Sequence, residues 1–348
     1  ADTPLPPASM SKLMTLNMVF EALDEGRLSL DDRFPVSERA WRKGGSKMFV
    51  RVGDRIRVED LIKGVTVQSG NDACIVLAEG LAGTESAFAE RMNERAREIG
   101  LENSHFLNAT GWPDEGHEMS VRDLAKLAAR VVTEFPDYHR FFSIMEFTWE
   151  DITQQNRNPL LYLDVGADGM KTGHTEASGY GLTATVEREG RRVVMVVNGL
   201  ESARQRAVEA EKLVNWAYRE FRTGALYAAG EPVAEAEVWL GAAERVGLAP
   251  AEDVAVTVPY GEADAIAARV RYEGPIRAPV ALGQEIAELV VPAPGMEPTV
   301  YPLVATGDVP EGGVMARVKA AARLLLPSAG GAPGLVERSP AAAAPSPC

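Results

Sequence analysis

Cysteine is almost missing from this 348-residue chain. Cys74 and Cys348 are too few for a disulfide framework or a cysteine metal site, and they leave the redox compartment open. Cys74 reads as a small buried helix residue. Histidine is sparse too: His105, His117, His139 and His174 form no ligand pair at helical spacing, and neither HExxH nor CxxC occurs. No metal and no cofactor are expected. Basic residues are in deficit, 36 against 50 acids, giving a net charge of -14. Nucleic-acid binding calls for a basic footprint, so no nucleic-acid partner is expected. No apolar run approaches the roughly 20 residues of a membrane-spanning helix, and no basic start followed by an apolar core opens the sequence. The first residues, Ala1-Asp2-Thr3-Pro4-Leu5-Pro6-Pro7, lack an initiator Met, as a processed or truncated chain would.

What is present is enough for a substantial core: 46% of residues are apolar, and the length suggests two domains. Ser9 to Glu25 carries apolar residues round most of a helical circumference, the mark of a buried helix. A second apolar segment runs from Val58 to Val67, and Asn71 to Leu81 reads as a helix stopped by Gly83. Glu85 to Gly100 has an outer-helix pattern, and Ser120 to Thr133 starts with Ser120 as N-cap and Asp123 in a box-like position. After Pro159 the pattern turns to strands. Gly179 to Val186 and Arg192 to Val197 flank a turn at Arg188-Glu189-Gly190, followed by a helix over Glu209 to Phe221. Beyond Thr223, short segments at Val233 to Leu240, Val254 to Val258, Ile266 to Tyr272, Pro279 to Leu282 and Ile286 to Val291 suggest a small all-β domain. Val314 to Leu326 is amphipathic, with Arg317, Lys319 and Arg323 off its apolar side. It reads either as a membrane-surface helix or as one docked on its own protein. The Ala-, Pro- and Gly-rich tail from Pro327 is expected to be unstructured.

Three short strings carry chemistry. In Ser9-Met10-Ser11-Lys12 the hydroxyl and amine lie three residues apart and share a helical face, so a lysine whose ammonium is destabilised by burial can take the serine proton. The helix N-terminus favours oxyanion charge near Ser9. The spacing alone is weak, expected by chance roughly once per few hundred residues. Lys171-Thr172-Gly173 is rarer, on the order of once in several thousand. Its cation and hydroxyl suit a carboxylate, and its glycine lets a substrate backbone lie close. Ser69-Gly70-Asn71 adds a hydroxyl suited to relaying a proton and an amide. Each string has a bland reading as a turn or surface segment; their ordered combination does not.

With Ser69-Gly70-Asn71-Asp72-Ala73-Cys74, Lys171-Thr172-Gly173-His174-Thr175 and Phe106-Leu107-Asn108-Ala109-Thr110-Gly111, the chain resembles the low-molecular-mass penicillin-binding D-alanyl-D-alanine carboxypeptidases. These are serine peptidases of family S11 within the penicillin-binding protein and serine β-lactamase superfamily. The resemblance covers about residues 8 to 221. It implies an α+β, β-lactamase/transpeptidase-like domain, an antiparallel sheet with helices on both sides, over residues 1–222. A small all-β domain over 223–310, an amphipathic helix over 311–327 and a disordered tail over 328–348 would follow.

By the same resemblance, Ser9 forms the acyl-enzyme with Lys12 as base, Ser69 shuttles the proton to departing D-alanine, and Asn71 orients the site. Lys171, Thr172 and Gly173 border the substrate. Arg206 binds its terminal carboxylate, a role for which Arg204 competes. The backbone N–H groups of Ser9 and His174 form the oxyanion hole, although the His174 ring could equally pack on the sheet edge. The implied partners are peptidoglycan stem peptides ending in D-Ala-D-Ala and β-lactams, and the implied location is the periplasm or the outer face of the bacterial cytoplasmic membrane.

No Glu stands at the right spacing before Leu107-Asn108 to make the Glu-x-x-Leu-Asn loop of a class A β-lactamase, and Gly70 replaces Asp in the second motif, so penicillin hydrolysis is expected to be slow. A DD-endopeptidase and a non-catalytic peptidoglycan-binding module remain alternatives. Family members usually carry a longer segment before the nucleophile, including sheet strands. This sequence is therefore expected to lack that segment and to leave an unpaired sheet edge.

Overall fold

The computed structural model describes residues 1–260, 267–292 and 298–314, together with Val318 and the strand Val336–Arg338. The chain separates into two compact units, Ala1–Ala217 and the chain from Tyr218 onward.

In the first unit, a 3₁₀ turn at Ala8–Ser11 runs directly into helix α1, Lys12–Asp24. Ser9 therefore stands in the tighter turn before the α-helix, not within it as the periodicity suggests. Nearly every α1 side chain is buried, among them Leu13, Met14, Leu16, Val19 and Phe20. Around it lie α2 (Val58–Thr66), α3 (Asn71–Ala82), α4 (Glu85–Glu98) and α5 (Val121–Glu134). Local chemistry sets the starts of α4 and α5, where Thr84 accepts from the Ala87 N–H and Ser120 from the Asp123 N–H at 3.1 Å each. The expected box at Ser120 does not close. The Asp123 carboxylate turns instead to the Asn103 N–H and the Ser104 hydroxyl, and the Ser120 N–H donates to the Asn103 carbonyl.

The largest sheet of this unit among the described residues is antiparallel, with β1 (Ala167–Thr175), β2 (Gly179–Arg188) and β3 (Arg191–Leu200) in that order. Glu189 and Gly190, both at positive φ, make the tight turn from β2 to β3. An unbroken buried run from Gly181 to Val186 in β2 means that both sheet faces are covered. Met170 of β1 joins Phe20, Phe88, Leu127, Val131 and Phe142 in one core, where the Phe20 ring stacks on Tyr138 at 5.4 Å and meets Phe142 edge-on at 6.1 Å. Among the described residues β3 pairs with β2 alone. The last helix, α6, runs Ala203–Glu220, longer than the periodicity predicts, because the Ser202 hydroxyl caps its start by accepting from the Gln205 N–H at 3.0 Å.

The second unit is built from strands. β4 (Phe221–Tyr227) pairs antiparallel with β7 (Val254–Pro259). The remaining strands are β5 (Ala234–Trp239), β6 (Arg245–Pro250), β8 (Ala268–Arg271), β9 (Ile276–Arg277), β10 (Glu285–Val291) and β11 (Thr299–Ala305). They form one sheet in the order β9-β5-β6-β11-β10-β8, with Val336–Arg338 beyond β8. Val238, Leu248, Val270, Leu289 and Leu303 fill its core. Pro279–Leu282 is not a strand and contributes a single antiparallel bridge, Val280 with Val309. The strands β4, β6 and β11 escape the sequence pattern, β6 and β11 because internal Gly or Pro interrupts it. The amphipathic segment over 314–326 lies outside the described residues apart from Val314 and Val318, as does the tail apart from Val336–Arg338.

Two glycines let the Ser9 turn sit where it does. Gly111 has φ +73°, and a Cβ there would lie 1.9 Å from the Ala8 carbonyl oxygen; on β1, a Cβ on Gly173 would lie 2.8 Å from the Pro7 carbonyl oxygen. The glycine of the third motif thus accommodates the protein's own turn, where the sequence suggested a substrate backbone. Gly111→Ala combines a left-handed backbone with a backbone collision, and should cost about 2–4 kcal/mol in urea unfolding. A variant as stable as the parent would show that the turn is not wedged as described.

Candidate active site

The turn carrying Ser9 is held in a conformation that few residues adopt: Ala8, buried, has φ +50°. From the first position of α1, Lys12 reaches back so that its Nζ lies 2.8 Å from Ser9 Oγ and donates to the Thr110 carbonyl at 2.5 Å. The amine is wholly buried, and burial lowers it from its ordinary 10.5 to about 8. The charges of Arg157 and Lys43 push the same way, while Asp72 opposes. Cys74, buried on α3, has its thiol pushed up to about 12 by burial, so it stays neutral and inert beside Lys12.

Opposite stands a second serine–lysine pair. Ser69, in the loop between α2 and α3, has φ +59°, and its Oγ accepts from Lys171 Nζ of β1 at 2.9 Å. Lys171 also donates to the Thr172 carbonyl at 3.0 Å. It is 2% exposed, and burial, then the nearby Lys12 charge, hold its amine well below the ordinary lysine value. The two lysines are thus brought into one buried space, where protonating both is strongly opposed.

Asn71 opens α3 and points its Nδ2 at the Gly44 carbonyl, 2.8 Å away. The next residue, Asp72, is completely buried. Its Oδ1 accepts from the Met48 N–H at 2.8 Å and the Ala73 N–H at 2.9 Å, and its Oδ2 from the Phe49 N–H at 2.8 Å and the Val50 N–H at 3.3 Å. The loop before Val50 is thereby tied to the first turn of α3. Asn108 does the same for the floor. Its Oδ1 accepts from the N–H groups of Thr110 and Trp112 and from the Thr110 hydroxyl, which presents the Thr110 carbonyl to Lys12. His117 supports the Ser9 turn from behind, with Nδ1 accepting from the Leu107 N–H at 3.2 Å, so that the proton sits on Nε2, 2.8 Å from Ser11 Oγ. Sequence reading assigned no role to Asp72, Asn108 or His117. An acid in the first turn of a helix and the Phe106–Gly111 string were the available signals.

On the sheet side, Thr172 is buried at the centre of β1, and the exposed His174 ring packs on Tyr180 of β2 at 3.9 Å. The Arg206 guanidinium lies 5.7 Å from the other partner of this stack, the Tyr180 ring. Arg206 is 9% exposed, and its buried Nε has no hydrogen-bond partner among the described residues, whereas Arg204 is exposed. A buried guanidinium with an unused donor calls for an anion. Arg157 donates to Ser46 Oγ at 2.6 Å, and its charge is felt at Lys12, Lys171 and Arg206. In a protein of net charge -14, the site is a concentration of cations. Such a site can activate a hydroxyl and hold a carboxylate beside it. Among the described residues, no cluster of His, Cys, Asp or Glu is arranged to hold a metal ion.

Known proteins resemble this chain over most of its length. The profile of the family described as D-alanyl-D-alanine carboxypeptidase matches residues 1–202, and that of the penicillin-binding protein 5 C-terminal domain matches residues 221–311. The D-alanyl-D-alanine carboxypeptidase DacD of Escherichia coli (strain K12) is 36% identical over 320 residues, covering 90% of this chain and 82% of that protein. DacF of Bacillus subtilis (strain 168) is 32% identical over 327 residues, covering 90% of this chain and 82% of that protein. Among solved structures, penicillin binding protein 5 from Haemophilus influenzae superposes with a TM-score of 0.81 at 34% identity, covering 89% of this chain and 92% of that one.

The buried His117 makes the fold sensitive to acid. Burial lowers its imidazole from 6.5 to about 4, so the unfolded chain takes up a proton before the native one does. The contribution of neutral His117 is full above about pH 6.5, declines as the pH falls towards 4 and is gone below. It amounts to about 3 kcal/mol. Urea unfolding of the wild type and of His117→Gln should therefore give stabilities that converge by about that much between pH 7.5 and pH 4. A constant gap across that range would contradict the assignment.

Proposed function

Since the chain belongs to the D-alanyl-D-alanine carboxypeptidase family of serine peptidases, we propose that it removes the terminal D-alanine from peptidoglycan stem peptides through an acyl-enzyme on Ser9. The observation that carries this reading is the wholly buried Lys12, with Ser9 Oγ 2.8 Å from its nitrogen. As a neutral amine, Lys12 keeps one N–H on the Thr110 carbonyl and uses its lone pair to accept the Ser9 proton. Ser9 Oγ then bonds to the carbonyl carbon of the penultimate D-alanine. The backbone N–H groups of Ser9 and His174 receive the oxyanion. When the C–N bond breaks, the departing amine takes the proton that Lys12 removed from Ser9, relayed through the Ser69 hydroxyl, which Lys171 holds, and Asn71 orients the acyl half. Water then attacks the ester and passes one proton to Lys12, which hands it to the Ser9 oxygen as the C–O bond breaks; the shortened peptide leaves as its acid and Lys12 is a free amine again.

Arg206, with its unused buried donor, and the Lys171–Thr172 segment bind the terminal carboxylate. A β-lactam presents the same carboxylate and an amide that Ser9 opens, but its leaving group stays attached. The acids whose charges bear on the site are already engaged, Asp72 by backbone N–H groups and Glu85 by Arg39 and the Ala109 N–H. Neither is left as a carboxylate base for deacylating water, so that task falls to Lys12 alone. The tethered leaving group of a β-lactam stays in the water's way, which favours a long-lived penicilloyl enzyme and separates this reading from a β-lactamase. Such a substrate lies outside the bacterial cytoplasmic membrane, so the protein acts in the periplasm or on the membrane's outer face. Among the described residues no helix is long and apolar enough to cross a membrane. Peripheral contact through 314–326 is a proposal resting on the sequence alone.

Incubation with a penicillin should add one ligand mass that maps to Ser9. Ser9→Ala should show neither the adduct nor D-alanine release; release at the parental rate from that variant would remove Ser9 from the chemistry. Arg206→Ala should raise KM for peptides ending in D-Ala-D-Ala at least tenfold, the loss of one charge-assisted carboxylate contact, with a smaller change in kcat. An unaltered KM would release Arg206 from that role.

A further inference from the structure

The strand that carries Lys171 holds an extra residue relative to its neighbour. In the register of β1 against β2, Ala167 stands opposite Val186 and Gly169 opposite Thr185, so Asp168 is unmatched and forms a bulge. Further along, Lys171 pairs with Thr183. Without the bulge it would stand opposite Leu182, and because side chains alternate along a strand, its amine would leave the face that meets Ser69. The bulge is clamped from two sides. Asp168 Oδ1 accepts from the Thr185 hydroxyl at 2.7 Å, and its Oδ2 from Arg192 Nη1 of β3 at 2.6 Å. With its proton committed to Asp168, the Thr185 hydroxyl accepts from His139 Nε2 at 3.2 Å. On the other side, the buried Asn158 donates its Nδ2 to the Gly169 carbonyl at 2.7 Å. A Cβ on Gly169 would lie 2.8 Å from Thr185 Oγ1 and 3.2 Å from His139 Nε2, so the absence of a side chain there lets the clamp close.

One carboxylate thus ties together all three strands of the sheet, and its bond to the guanidinium is charge-assisted. Arg192 is itself fixed by a second carboxylate, Glu187. We propose that Asp168, gripped by Arg192 and Thr185, is a positioning residue for the reaction: it holds the bulge in β1 and thereby keeps Lys171 on the face where its amine reaches Ser69. This rests on the reading of the site as a D-Ala-D-Ala carboxypeptidase, and deepens it by placing control of the proton relay in residues outside the three motifs. Ser69 passes a proton to the departing amine only while its hydroxyl is aimed, and the aim comes from Lys171 Nζ at 2.9 Å. Burial of that amine depends on the same strand phase, so a loosened bulge changes both the position of Lys171 and its readiness to hold a proton.

The test reads the Lys171 amine itself, by NMR of ¹³C-methylated lysines with Lys171→Arg to assign the signal. In the wild type Lys171 should titrate below the surface lysines. In Asp168→Ala its midpoint should rise by about one pH unit or more, while Lys12 stays near 8. Arg192→Ala, at a side chain partly in solvent, loosens the same clamp without altering the bulge residue, and should give a smaller rise that Arg192→Lys reverses. D-Alanine release should follow, with kcat/KM about tenfold lower in Asp168→Ala and recovering in Arg192→Lys. A Lys171 midpoint unchanged in folded Asp168→Ala or Arg192→Ala would overturn the positioning role, even if activity fell. The titration needs no turnover, so it is independent of the chemistry: absence of a penicillin adduct on Ser9 would overturn the carboxypeptidase reading instead.

Discussion

Taking an ammonium out of water costs several kcal/mol unless strong partners replace the solvent. Lys12 has for partners among the described residues only the Ser9 hydroxyl and the Thr110 carbonyl, and Lys171 only the Ser69 hydroxyl and the Thr172 carbonyl. Each amine is further disfavoured as a cation by the positive charges around it, among which Arg157 bears on both. The result is a lysine that can be a base near neutral pH, next to a hydroxyl that needs one. Stability and reactivity are opposed here. The buried amines contribute nothing to the hydrophobic core, and the rest of the unit is arranged so that they remain dry and correctly aimed.

That arrangement draws on segments far apart in the chain. Asp72 uses its carboxylate to hold the backbone of Met48, Phe49 and Val50, and Asn108 folds its own loop so that the Thr110 carbonyl faces Lys12. Glu21, on the far side of α1, accepts from Asn17, Arg95 and Arg130, binding α1 to α4 and α5 through one buried oxygen. Gly111 and Gly173 remove the side chains that would otherwise force the Ser9 turn away from its loop and from β1. Two of the non-glycine residues held at positive φ, Ala8 and Ser69, lie adjacent to or within the two serine motifs, and the packing around each holds it in place.

Much of this was legible in the sequence where the physics is local. The helical spacing of Ser9 and Lys12, the cap at Ser120 and the hairpin after Lys171 depend on residues close together in the chain, and all appear in the structure. The choice between Arg204 and Arg206 depended on the phase of α6, set by its cap at Ser202, and only that phase turns Arg206 towards Tyr180 while leaving Arg204 in solvent. The same limit explains Gly173, whose neighbour is a carbonyl from Pro7 that no local pattern could bring there. The two possibilities for His174 do not exclude each other, since its ring lies on Tyr180 while its backbone remains on β1. In the second unit, strands interrupted by Gly or Pro, such as Arg245–Pro250, are recognisable only once their neighbours pair with them.

The central claim is that burial brings the Lys12 amine close enough to neutral pH for its free form to act as base on Ser9, and the direct test is the titration of that amine. Selective ¹³C-methylation of the lysines followed by NMR across pH 6 to 11, with Lys12→Arg to assign the signal, reads the midpoint. The account predicts a Lys12 resonance titrating near pH 8, displaced from the surface lysines. A Lys12 signal that titrates with the surface lysines, near its ordinary 10.5, would contradict it.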